Sequence, residues 1–400
     1  MAELLAGWGI AEDIADLGNG GSALAVLVHP DSLDGSRRGI VLRAGGGGAL
    51  LGDLDAACQE FGLAVPAGLI SHTGVGGLTL GGGMGWLTRR AGLTIDNLLA
   101  AEIVLANGDI VHASQEEHPD LFWALRGGGG NFGVVNEFEF ALHEVGPMVD
   151  FGLFFWPLDQ GAQVLRYARE IITTLPRDLN IVLAALNAPP APFVPEPYHF
   201  QPGYALLLAG FGPDGQHATL AQRIRDAMPL LFEMVTPMPY TALQQLLDEA
   251  NAWGMFNYEK STYLPDLTDE AIDTITRHVP QKNSPLSVAL IYRLDGAYSD
   301  IGENDTAFGG ERTPRYSVFI VAVAPEQALL PADRAWVREF WDALQPAAQG
   351  AGTYVNSLAE YDDARLRATY GTEKLTRLAR IKAHYDPGNV FRRNVNIKPV

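Results

Sequence analysis

Seven glycines crowd into residues 71–86, Ser-His-Thr-Gly-Val-Gly-Gly-Leu-Thr-Leu-Gly-Gly-Gly-Met-Gly-Trp, at positions 74, 76, 77, 81, 82, 83 and 85. Glycine loses more conformational freedom on folding than any other residue, so this density marks backbone that something must approach closely. Main-chain N–H groups laid bare in this way suit a large anionic ligand, and a dinucleotide pyrophosphate is the natural candidate. Val75, Leu78, Leu80 and Trp86 anchor the stretch and set it apart from a flexible linker. A second run, Gly127 to Gly130, follows the short helical segment 117–126. A helix C-cap needs one glycine rather than four, so this turn joins the first as a binding candidate.

The segments that must position these turns read as a mixed fold. Ala23 to Val28 and Gly39 to Arg43 are strand-like, and Leu50 to Phe61 is a helix with Asp53 and Asp55 placed in its first turn. Asn107-Gly108 is a hairpin signal between strands at Leu98 to Leu105 and Ile110 to Ala113. Beyond Gly146-Pro147, strand-like runs (150–156, 179–186, 204–211, 285–292, 316–323) alternate with amphipathic helices (160–175, 216–232, 268–278, 331–344). That pattern predicts a sheet covered by helices, with antiparallel pairing because long irregular segments separate the strands.

Four hundred residues exceed what one core organises, so two domains are expected. A net charge of −19 disfavours nucleic acid, which requires a basic surface, and would be repelled by an anionic membrane. No run reaches the roughly 18 apolar residues of a membrane span. The single cysteine, Cys58, cannot form an internal disulfide, and the N-terminus has no signal-peptide pattern. A soluble, cytoplasmic protein is the expectation, and no metal site is expected.

The motifs Thr73 to Trp86, Gly92-Leu93 with Asp96-Asn97, His118 to Val135, Tyr354-Val355-Asn356 and the tail Tyr385 to Ile397 together resemble the berberine-bridge-enzyme-like branch of FAD-linked oxidases, over about residues 40–400. The resemblance implies an α+β fold: a two-part PCMH-type FAD-binding domain (1–147 and 376–400), with an inserted substrate domain (148–375) built on a large antiparallel sheet covered by helices. It implies FAD as cofactor, lined by Thr73, Gly74, Gly76, Gly77, Gly81, Gly82, Gly83, Gly85, Trp86, Gly92, Asp96, Gly130, Asn131, Gly133 and Val135, with Asn394 and Asn396 at the flavin's polar rim. It further implies Tyr354 as the group that takes the substrate's hydroxyl proton while hydride passes to flavin N5. A phenol with a pKa near 10 must be depressed by positive charge or hydrogen bonds to do so, and Lys260 is the candidate cation.

The chain departs from that pattern near its start. The family's Arg-x-Gly-Gly-His loop, whose histidine commonly bonds the flavin, has no counterpart, and Leu69-Ile70-Ser71 stands where a second, cysteine anchor occurs. His72 is near, at a position where the family has no flavin bond. The expectation is an oxidase acting on a small-molecule alcohol or related C–H centre, with non-covalent FAD and oxygen as acceptor. The alternative is a redox-inactive relative with a shortened flavin domain.

Overall fold

The computed structural model describes residues 48–212, 215–358 and 360–400 with their side chains, and the backbone of residues 24–29 and 38–44. The glycines Gly45 to Gly47 lie outside the described residues.

The first half runs β1 (Leu24–His29), β2 (Arg38–Ala44), α1 (Leu51–Gln59), β3 (Leu63–Ala64), α2 (Val75–Gly81), α3 (Thr88–Ala91), β4 (Leu98–Val104), β5 (Ile110–Ser114), α4 (Pro119–Leu125) and β6 (Val134–Glu144). These strands form a sheet in the order β1-β2-β6-β4-β5, with β3 also on β6. The second half runs β7 (Met148–Pro157), α5 (Gly161–Ile172), β8 (Leu179–Asn187), β9 (Pro202–Gly210), α6 (Gln216–Ala227), β10 (Phe232–Pro239), α7 (Tyr240–Gln244), β11 (Phe256–Leu264), α8 (Asp269–His278), β12 (Val288–Leu294), α9 (Ala297–Asp300), β13 (Arg315–Ala324), α10 (Leu330–Ala348) and α11 (Asp363–Tyr385). Its seven strands order as β10-β7-β9-β8-β12-β13-β11, and every pairing is antiparallel.

Strand alternation gives the seven-stranded sheet two unlike faces. One set of side chains (Phe154, Ile181, Leu206, Ile291, Val318, Ile320, Leu264) packs under α5, α6, α8 and α10 through Leu165, Ile224, Ile272, Trp336 and Phe340. The other set (Phe151, Phe155, Val182, Leu207, Tyr292, Tyr263) meets Trp86, Leu87, Leu93 and Ile95 from the first half, with Phe308 and Tyr354. This second face roofs the glycine-rich backbone.

Two readings need correction. The glycine stretch is not a continuous loop, because Val75–Gly81 closes into the short helix α2, buried through Val75, Thr79 and Leu80. Asp55 is not in the first turn of α1 but one turn further on. There it is buried and accepts from Gln244 Nε2 at 3.0 Å.

Candidate active site

Tyr354 sits where the two sheets meet. Its backbone N–H donates to Ser261 Oγ of β11 at 3.2 Å, which fixes the residue against the edge of the roof. Its ring packs against Phe319 and Phe308, with centroids 5.9 and 6.4 Å away. The phenol oxygen then reaches down to the glycine backbone. It accepts from the Gly83 N–H at 2.8 Å and from Asn356 Nδ2 at 2.9 Å, and the Met84 N–H adds a third donor.

Three donors around one oxygen favour a phenolate, but burial outweighs them and the hydroxyl's pKa is pushed up to about 12. The depression expected from positive charge is absent, because Lys260 does not point at Tyr354. Strand parity sends it to the helix-covered face, beside Tyr258. There its ammonium stands 4.3 Å from the centre of the Trp341 ring, and burial lowers its pKa. On the Tyr354 side, β11 presents Glu259 instead.

The glycines divide by what surrounds them. A Cβ on Gly81 would collide with Asn356 Oδ1, on Gly83 with Thr94 Oγ1, on Gly85 with the Ala67 carbonyl, and on Gly127 with the Phe308 backbone. A Cβ on Gly82 would lie 2.8 Å from the Phe308 ring and 3.1 Å from Tyr354, at a φ of +139° that only glycine adopts freely. Gly130 and Gly133 are likewise filled, by Asn394 Nδ2 and by Ile103 with the Val104 carbonyl. Gly76 faces Phe138 at 3.8 Å, and Gly74 and Gly77 face nothing within 4 Å. Most of the glycines let protein approach protein; Gly74 and Gly77, both exposed, leave bare backbone for a ligand.

The other expected contacts do structural work. Trp86 is buried edge-on to Phe151, and Thr73 holds α1 through its carbonyl, which accepts from the Leu51 N–H at 2.9 Å. Gly92, at φ +83°, lies against Asp96, which accepts from the Leu93 N–H and from both Nη1 and Nη2 of Arg312. Asn131 donates to the Gly128 and Val395 carbonyls and accepts from the Ile397 N–H, so it ties the second glycine turn to the tail. Val135 lies half-buried on β6 opposite Ile103. Asn394 donates to the Gly130 carbonyl at 3.3 Å, and Asn396 carries a buried Oδ1 with no partner. His72 is held by a contact from Nε2 to the Asn251 carbonyl at 3.0 Å, and its ring lies tilted at 45° beside Trp253.

The open backbone at Gly74 and Gly77, the exposed Asn356 and the orphaned Asn396 Oδ1 fit a long polar cofactor laid along this seam. Sequence reading missed Glu259, Asn356, Phe308 and Arg312. For Glu259 and Asn356 the signal was present, as the side chain two positions before Ser261 on the same strand face and the second polar residue of Tyr354-Val355-Asn356.

The FAD binding domain family model matches residues 33–114, and the berberine and berberine-like family model matches residues 353–398. The chain is 30% identical over 389 residues to (R)-6-hydroxynicotine oxidase of Paenarthrobacter nicotinovorans, covering 93% of this chain and 79% of that protein. It is 29% identical over 360 residues to an FAD-linked oxidoreductase of Dictyostelium discoideum, covering 88% and 74%. Among solved structures, 6-hydroxy-D-nicotine oxidase from Arthrobacter nicotinovorans superposes with a TM-score of 0.76 at 26% identity, over 94% of this chain and 81% of that one. Chitooligosaccharide oxidase shares the fold, with a TM-score of 0.75 at 22% identity, over 94% and 80%.

Proposed function

This chain belongs to the berberine-bridge-enzyme-like FAD-linked oxidoreductases, and on that premise we propose that it oxidises a small-molecule donor in the seam between its two sheets, with Tyr354 holding the donor's proton. It is an FAD-dependent oxidoreductase. FAD supplies the hydride acceptor at N5. The chain supplies the binding surface, the roof and the proton site.

The observation that carries the proton role is the ring of donors on the Tyr354 oxygen, from Gly83, Met84 and Asn356. Those donors favour the charged form of the phenol and so act against the burial that keeps the resting hydroxyl protonated. Phe319 and Phe308 exclude water from the ring. The donor is a CH–OH or similar centre, oxygen is the final acceptor, and the cofactor is held without a covalent bond. The division of labour is a flavin-binding part at 1–147 and 376–400 with a substrate part at 148–375. Among the described residues no helix is long and apolar enough to cross a membrane. We place the protein in the cytoplasm, where its lone buried thiol, Cys58, needs no partner.

The test is spectroscopic. The purified protein carries flavin absorbance that bleaches on adding a donor without oxygen and returns in air with peroxide. A preparation that stays colourless when FAD is added overturns the reading.

A further inference from the structure

Two cations share one indole on the outer edge of the roof. Lys260 Nζ lies 4.3 Å from the centre of the Trp341 ring, and the Arg365 guanidinium lies 4.7 Å from the same centre. β11 is the last strand of its sheet, and on its free side the Ser261 carbonyl accepts from Trp341 Nε1 at 2.8 Å and from Thr353 Oγ1 at 2.7 Å. One strand position further out, Tyr258 carries Arg334 and Arg338 over its ring at 4.7 and 5.4 Å. Four cations thus gather at one corner of a chain whose net charge is −19.

Among the described residues, two of the four are paired. The Glu360 carboxylate accepts from Arg334 at 2.6 Å, from Arg338 at 2.8 Å and from the Tyr258 hydroxyl at 3.0 Å, and these bonds hold its pKa down to about 2. Lys260 is 9% exposed, yet among the described residues it has neither a hydrogen-bond acceptor nor an ion-pair partner. Arg365 gives an N–H to the Glu360 carbonyl at 3.0 Å and, among the same residues, pairs with no carboxylate. The other acids nearby do not close the gap. Asp342 is exposed and reaches Lys260 only through its field, while Glu259 is bonded by Ser357 and is pushed by burial toward its neutral form. Burial and then Arg365 lower the pKa of Lys260, the mark of an ammonium set beside a second cation.

Lys260 and Arg365 open onto one cavity of about 20 Å³, closed in by Trp341, Thr353 and Ser357. A single water needs roughly 10–15 Å³, so the space takes one or two particles of that size and no more. The hydroxyls around it are spent on protein: Thr353 Oγ1 on the Ser261 carbonyl, Ser261 Oγ on Thr353 at 2.6 Å, and Ser357 on Glu259. What remains to meet a guest is a set of charged N–H donors. A water would satisfy those donors and leave both charges uncompensated, whereas a small anion does both.

We propose that this cavity binds a small monovalent inorganic anion of chloride size, held by Lys260 and Arg365 beside Trp341. The site lies apart from the flavin seam, since neither Tyr354 nor any glycine lines it, and it does not depend on the oxidoreductase reading. Once filled, it clamps α10, β11 and the first turn of α11 together. Ser261, whose Oγ takes the Tyr354 backbone N–H at 3.2 Å, stands at the edge of that clamp.

The test titrates chloride into the FAD-loaded protein at constant ionic strength, with sodium gluconate, too bulky for the cavity, as the balancing salt. The melting temperature should climb with chloride and saturate. Lys260→Met keeps a stem beside Trp341 and deletes the charge, so the climb should vanish. Arg365→Gln should raise the half-saturating chloride concentration roughly tenfold or more, the loss of one charge-assisted hydrogen bond. Bromide diffused into crystals should give an anomalous peak in contact with Lys260 Nζ and Arg365. A melting temperature indifferent to the exchange of gluconate for chloride, a chloride effect that Lys260→Met retains, or bromide found only elsewhere overturns the proposal. Should Lys260→Met fail to fold, Arg365→Gln and the bromide map decide it.

Discussion

Arg312 closes a two-pronged bridge on Asp96, Nη2 to Oδ1 at 2.7 Å and Nη1 to Oδ2 at 2.9 Å, with both side chains almost fully buried. Asp96 belongs to the turn that carries Gly92 and Leu93, and Arg312 to the segment that presses Phe308 onto Gly82 and Gly127. The guanidinium also bonds Thr306 at 3.0 Å and stands over the Phe308 and Tyr298 rings. Removing one partner strands a buried charge, so Arg312→Ala should cost about 3–5 kcal/mol in denaturant unfolding. A loss below about 1 kcal/mol would mean the bridge is not holding the halves together.

Tyr354→Phe deletes the proton site and keeps the ring between Phe308 and Phe319. Flavin content should be unchanged and turnover should fall by about 10²–10⁴-fold. Turnover equal to the parent protein rules Tyr354 out.

The glycines should separate in mutagenesis. Gly77→Val points into open space, so it should weaken flavin binding with little change in melting temperature. Gly82→Val must adopt an unfavourable φ and push on Phe308 and Tyr354, so it should destabilise the fold itself. Finding the reverse order, with Gly82→Val stable and flavin-free, would show that Gly82 faces the cofactor.

Asp55 offers a pH test. Burial pushes its carboxyl up to about 7, against an ordinary value of 3.8, so the folded state holds the proton more tightly than the unfolded chain. Stability from this group is complete below about pH 4 and is lost as pH rises toward 7, by linkage on the order of 4 kcal/mol. The melting temperature of the parent should therefore drop between pH 5 and 8 more than that of Asp55→Asn, which cannot ionise. Identical pH profiles would remove Asp55 as a source of the loss.

The sequence lacks the Gly-Gly-His loop and the cysteine anchor, and His72 is committed to Asn251 and Trp253. Acid precipitation should release all the flavin into the supernatant. A pellet that remains yellow would reveal a covalent bond, with His72→Ala the first variant to examine.

Periodicity carried much of the secondary structure of the second half. The five expected strands meet β7, β8, β9, β12 and β13 and the four expected helices meet α5, α6, α8 and α10, because each buries one face against a partner layer; β10 and β11, which complete the sheet, were not expected, and the helix expected to reach Phe232 ends at Ala227. The glycine stretch misled for a local reason: glycine disfavours helix intrinsically, yet α2 is stabilised by burial of Val75 and Leu80 and by the close approaches its bare backbone permits. Lys260 is the cation the sequence offers for a phenolate at Tyr354. The period of two through Tyr258, Lys260 and Leu264 already assigned the lysine to the apolar, helix-covered side. Arg312 was not legible, since its partner lies 216 positions earlier and nothing local marks either residue as half of a pair.

The tie between Asn131 and Ile397 spans 266 positions, and Lys382, buried nearby, bonds both the Asn131 and Phe391 carbonyls. A chain emerging from the ribosome would present its second glycine turn long before the strap that secures it exists. The nascent first half would wait, incompletely closed, until Val395 and Ile397 had been made, whereas the seven-stranded sheet can close once Ala324 has emerged. Cofactor capture would then come late, after that strap is in place, and deleting residues 395–397 would be felt at Gly128 as loss of the Val395 and Ile397 contacts to Asn131.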